Sequence, residues 1–99
     1  MVFETVGKKL ISEGIAEYFE RTLNNGKDNF KDSDWPENLG DFIQNKIIYN
    51  GGLHLVKPII DRYGKRGIET LIINPPSLED LSNLPEYQNR VIESLSKKP

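Results

Sequence analysis

Leu10-Ile-Ser-Glu-Gly-Ile-Ala-Glu-Tyr-Phe-Glu20 reads as a helix, and the neighbours it needs decide the fold. At about 100° per residue, Phe3, Val6 and Leu10 share one arc, and Ile11, Ile15, Phe19 and Leu23 form a second. Glu13 and Glu17 are i,i+4 neighbours and stack on the side of Val6 and Leu10. Two carboxylates on a largely apolar arc require partial solvation, a basic partner, or a bound cation. The helix spans from Phe3 or Gly7 to Leu23 and stops at Asn24-Asn25-Gly26, a turn and C-cap signal. Gly7 and Gly14 each weaken it by roughly 1 kcal/mol relative to alanine. Gly14 leaves room for another helix, either for simple packing or to share a metal site.

Outward from this helix, residues 24–38 read as a polar loop in which Phe30 and Trp35 pin the chain to the helices. Asp32 and Asp34 have calcium-loop spacing but lack the glycine and glutamate that complete such a loop. A short second helix is expected from Pro36 or Leu39 to Ile48, capped by Asp34, with Leu39, Phe42, Ile43 and Ile47 as its apolar stripe. A third runs from Gly52 to Tyr63, with Leu53, Val56, Ile60 and Tyr63 in one row. Pro58 within that row implies a kink or a later start. Residues 65–74 read as a short helix facing inward through Ile68, Leu71 and Ile72, although Thr70-Leu-Ile-Ile73 also suits a strand. Asn74-Pro75-Pro76 ends it. Ser77-Leu-Glu-Asp80 is a capping signature for a short helix, and Pro85 opens a last one reaching about Lys97. The expected architecture is all-α, with five or six short helices in an orthogonal bundle.

Ninety-nine residues make one small domain, residues 1–99, or part of a larger one. Hydrophobic residues are 36% and charged residues 28%, so the core is thin. A piece of a larger domain should leave apolar surface exposed, available for self-association or a partner. With 13 basic and 15 acidic residues the net charge is −2, which argues against nucleic-acid binding. The absence of cysteine excludes disulfides and thiolate metal sites. No apolar run approaches the ~20 residues that span a bilayer, and the N-terminal stretch lacks a secretory pattern. A cytoplasmic location without membrane contact is the expectation.

Ser12-Glu13-Gly14-Ile15-Ala16-Glu17-Tyr18-Phe19 resembles the third-ligand helix of the gluzincin, or peptidase MA-like, zinc metallopeptidases. In that family a His-Glu-x-x-His helix is followed by a helix reading roughly [Asn/Ser]-Glu-Gly-[hydrophobic]-Ala-x-Tyr, whose glutamate completes the zinc site. Tyr49-Asn50-Gly51-Gly52 is similar to the Tyr-x-x-Gly of aminopeptidase-type members, and the apolar stretch Leu53 to Gly64 to the helix after it. The resemblance covers about residues 8–73, on few specific positions.

The resemblance implies that Glu13 is a zinc ligand. Tyr49 would stabilise the negative charge that builds on a peptide carbonyl, with His54 as the second candidate for that task. Glu17 would orient a ligand or be a solvated charge. Read without the resemblance, Tyr49 is a core-edge tyrosine with its hydroxyl in water, and His54 a surface or capping histidine. The chain departs from the family in having one histidine, His54, and no His-Glu-x-x-His. In the family that helix lies further upstream than the twelve residues before Glu13 allow. Glu13 with His54 alone would be a poor zinc site. The reading is therefore the distal helical portion of a metallopeptidase-like hydrolase, inactive by itself. Zinc is expected only when a His-Glu-x-x-His segment completes the site, and peptides or proteins as partners only in that context. The alternative is a stand-alone helical interaction module, including a non-catalytic relative.

Overall fold

The computed structural model describes residues 4–23, 29–43 and 47–97. It is all-α, and the described residues contain no strand. Among the described residues four α-helices form the body, where five or six short helices were expected: α1 (Glu4–Leu23), α2 (Gly52–Tyr63), α3 (Lys65–Ile73) and α4 (Leu84–Ser96). Short 3-10 turns cover Asp32–Asp34, Leu39–Ile43 and Asp80–Ser82. Where a single second helix was expected near 39–48, there is a 3-10 turn and then a π-helical turn, Ile47–Gly51, running directly into α2. The C-cap expected at Asn24-Asn25-Gly26 lies outside the described residues.

α2 is the central element, touching α1, α3 and α4. Leu53, Leu55, Val56, Ile59 and Ile60 are all buried, each side chain contributing about 1.5–3 kcal/mol of transfer free energy. Val6, Leu10 and Ile11 of α1 meet them, as do Leu71 of α3 and Leu84, Tyr87, Val91 and Leu95 of α4. Tyr87 is buried with its hydroxyl donating to the Asn74 carbonyl at 2.6 Å, which ties α4 to the end of α3.

Pro58 sits inside α2 on its exposed side. It has no N–H for the carbonyl of His54, one turn earlier. The Gln88 side chain of α4 supplies the missing donor, reaching the His54 carbonyl at 3.3 Å and the Leu55 carbonyl at 2.8 Å. The helix therefore continues through the proline. It ends at Gly64, whose φ of 57° turns the chain directly into α3.

α3 faces the core through Gly67 and Leu71, with Ile68 half-buried. Ile72, expected inward, is 60% exposed. One helical step from Leu71 turns it about 100° away from the core. The arc of Ile11, Ile15 and Phe19 rises out of the core in the same way: Ile11 is buried, Ile15 half-buried and Phe19 exposed.

The strap formed by residues 29–35 is held by rings. Phe30 and Trp35 meet edge to face with centroids 4.7 Å apart, and Trp35 stacks on Phe42 at 6.0 Å. Trp35 also lies over Gly51, so the strap covers the π turn.

Candidate functional site

The Ser12–Phe19 stretch lies wholly within α1, which crosses the start of α2 backbone to backbone. A Cβ on Gly14 would stand 2.4 Å from the Gly52 carbonyl oxygen, and one on Gly52 would stand 2.6 Å from the Leu10 carbonyl oxygen. Only a glycine pair permits this approach. Tyr18 adds a second link between the helices, its hydroxyl donating to Asp61 at 2.6 Å. Asp61 also accepts from Lys57 at 2.6 Å. The hydrogen bond to Asp61 pushes the Tyr18 phenol up, and the bonds from Lys57 and Tyr18 hold the Asp61 carboxyl below its ordinary range.

Glu13 is half-buried, and no side chain among the described residues pairs with it. Glu17, one turn on, accepts from Arg21 Nε at 3.1 Å and from Arg21 Nη2 at 2.7 Å. Arg21 Nη2 also donates to Asn50 Oδ1 at 2.5 Å. The carboxylate arc of α1 is thereby joined to the π turn one residue from Tyr49. Tyr49 itself is 37% exposed.

His54 faces another way. Its Nε2 lies 2.8 Å from Asp32 Oδ1, and its ring packs near Phe30 and Trp35. It lines a surface depression of about 300 Å³ with Asp32, Lys57, Pro58, Asp61 and Gln88. Arg21, Asn29, Phe30, Asp34, Ile47 and Asn50 are the described residues lining a separate, partly open cavity of about 480 Å³ between α1, the strap and the π turn. Glu13 and Tyr49 line neither cavity.

Asp32 and Asp34, which share calcium-loop spacing, point to different partners. Asp32 meets His54, while Asp34 Oδ2 accepts from the Lys31 N–H at 2.9 Å. No three His, Cys, Asp or Glu side chains among the described residues are grouped closely enough to hold a metal. Glu13 stands apart from the other candidate donors among the described residues.

Arg21 and Asn50 were not singled out from the sequence, yet they connect the two stretches that carry the family resemblance. The Glu17–Arg21 spacing is an i,i+4 ion pair and was readable as such. The bond to Asn50 was not readable, because it depends on the fold. No protein-family model, curated protein or solved structure matches the chain.

Proposed function

We propose that this chain is the distal, glutamate-bearing helical portion of a gluzincin-like zinc metallopeptidase domain, without catalytic competence of its own. The observation that carries the reading is the glycine crossing. Gly14, next to Glu13, and Gly52, at the end of Tyr49-Asn-Gly-Gly52, interlock at one junction. Two short motifs with 29 residues between them, 20–48, thus meet in space, and the Glu17–Arg21–Asn50 bridge ties them a second time. In this reading Glu13 is the third ligand, with no side-chain partner among the described residues, and Glu17 fixes the geometry behind it. Tyr49 is the donor to the reacting carbonyl. His54, engaged with Asp32, braces the strap.

The test is the reading frame upstream of Met1, together with the metal content of the protein it encodes. The expected result is a His-Glu-x-x-His helix upstream and one zinc per chain, lost on Glu13→Gln. A frame without that helix, or zinc retained in the Glu13→Gln protein, would sink the reading.

The second reading, a helical interaction module, rests on a different face. Ile15 of α1, Leu71 and Ile72 of α3 and Pro75 just beyond α3 line an apolar groove of about 430 Å³. Phe19 and Ile73 are exposed on the same two helices. The same surface would be covered by the remainder of a larger domain.

A further inference from the structure

The cavity between α1, the strap and the π turn carries two opposite charges that do not meet. Arg21 and Asp34 both line it, yet no Arg21 nitrogen comes within 4.0 Å of an Asp34 carboxylate oxygen. The guanidinium is fixed through two of its nitrogens, Nε and Nη2, by Glu17 and Asn50. Nη1 has no partner among the described residues. Asp34 gives one oxygen, Oδ2, to the Lys31 N–H. Its other oxygen has no partner among the described residues. Phe30 and Ile47 supply apolar wall, and Asn29 a polar one.

A ligand carrying only a carboxylate would meet Arg21 but also the charge of Asp34. A ligand carrying only an ammonium would have the converse problem. A ligand with both charges satisfies the two walls together, and charge-assisted hydrogen bonds reward that match. With Nε and Nη2 held by Glu17 and Asn50, Nη1 is left to give a ligand carboxylate a single charge-assisted hydrogen bond. A volume of about 480 Å³ suits a small organic molecule with a ring or aliphatic body.

We propose that this cavity binds a zwitterionic peptide-like ligand, with its carboxylate at Arg21, its ammonium at Asp34 and its apolar side chain against Phe30 and Ile47. No metal enters this binding, so it stands or falls apart from the zinc reading.

The experiment titrates the full chain with the dipeptide alanyl-phenylalanine, followed by heteronuclear NMR. Parallel titrations use the N-acetylated, the C-amidated and the doubly blocked dipeptide, and free phenylalanine. Saturable shifts are expected at the amides of Asn29, Phe30 and Asn50. Each single block should weaken binding by about tenfold, the loss expected for one charge-assisted contact. Arg21→Gln and Asp34→Asn should do the same, with unchanged helical circular dichroism. Phenylalanine binding as well as the dipeptide would support the charge pairing and assign the cavity to a free amino acid. No saturable shift, or equal binding of the doubly blocked peptide, would overturn the proposal. The blocked ligands act on the unaltered chain, so that outcome stands even where a variant fails to fold.

Discussion

Gln88 bonds to the carbonyls of His54 and Leu55 in α2, and this role follows from Pro58. A proline in mid-helix leaves the carbonyl four residues earlier without its donor, at a cost of about 3 kcal/mol or more when nothing compensates. The Gln88 amide compensates from α4. Gln88→Leu fills the same space and removes the donor. It should lower unfolding free energy by about 1–3 kcal/mol in urea titration, the range for stranding a buried acceptor. A loss under about 0.5 kcal/mol would mean that water reaches the His54 carbonyl unaided. Asp80 is a second residue with a legible task. Its Oδ2 accepts from the Ser77 N–H at 2.9 Å, and its own N–H donates to Ser77 Oγ at 3.1 Å. Burial pushes the Asp80 carboxyl up, but the two bonds to Ser77 and the pairing with Arg90 outweigh it, so the net shift is downward. A depressed carboxyl contributes stability above its unfolded pKa and loses that contribution as pH falls through its folded value. Asp80→Asn keeps an acceptor for the Ser77 N–H but loses the charge that faces Arg90, and should therefore cost about 0.2–1 kcal/mol at neutral pH. The difference from wild type should shrink in acid, below the ordinary aspartate pKa of 3.8. A difference that stays constant from neutral pH into acid would assign the effect to packing.

Among elements, the crossing of α1 and α2 is the joint most sensitive to a single methyl. Gly14→Ala would place a Cβ 2.4 Å from a backbone oxygen, which cannot move without shifting α2. The intrinsic helix preference for alanine over glycine, about 1 kcal/mol, runs in the opposite direction. Overpacking against backbone costs about 1–3 kcal/mol or more, so a net destabilisation is expected. Thermal unfolding of Gly14→Ala above the wild-type midpoint would refute the backbone contact. The helix bounds around this joint were legible where the punctuation is covalent. Gly52 opens α2, Tyr63-Gly64 closes it, and Asn74-Pro75-Pro76 closes α3. The Ser77–Asp80 capping box also forms as its spacing implies. Residues 39–51 were not legible. Leu39, Phe42, Ile43 and Ile47 fit one helical stripe, and side-chain periodicity does not distinguish an α-helix from a 3-10 turn followed by a π turn. The start of α4 was displaced for a local reason: Asn83 accepts from the Glu86 N–H at 3.3 Å, a cap overshadowed in the sequence by Pro85.

The molecule as a whole presents a folded core with a carboxylate arc and an apolar groove left open. The carboxylate arc was legible, since Glu13 and Glu17 fall one turn apart on a helix. Its bridge to Asn50 was not, because contacts between distant segments leave no trace in a spacing pattern. This distribution of donors bears on zinc. The chain has one histidine and no cysteine, and the depression that His54 lines does not include Glu13. Among the described residues no three candidate ligands come together. Zinc held by protein takes three or four such donors, and each one absent is replaced by water with little gain over the hydrated ion. Calorimetric titration of the 99-residue chain should therefore show no stoichiometric submicromolar zinc, and Glu13→Gln should leave the weak residual heat unchanged. The encoded protein with a His-Glu-x-x-His helix should differ on both counts. One submicromolar zinc bound by the 99-residue monomer would contradict the incomplete-site reading. Its loss on Glu13→Gln would then keep Glu13 as a ligand and require His54 and the remaining donors to rearrange around it.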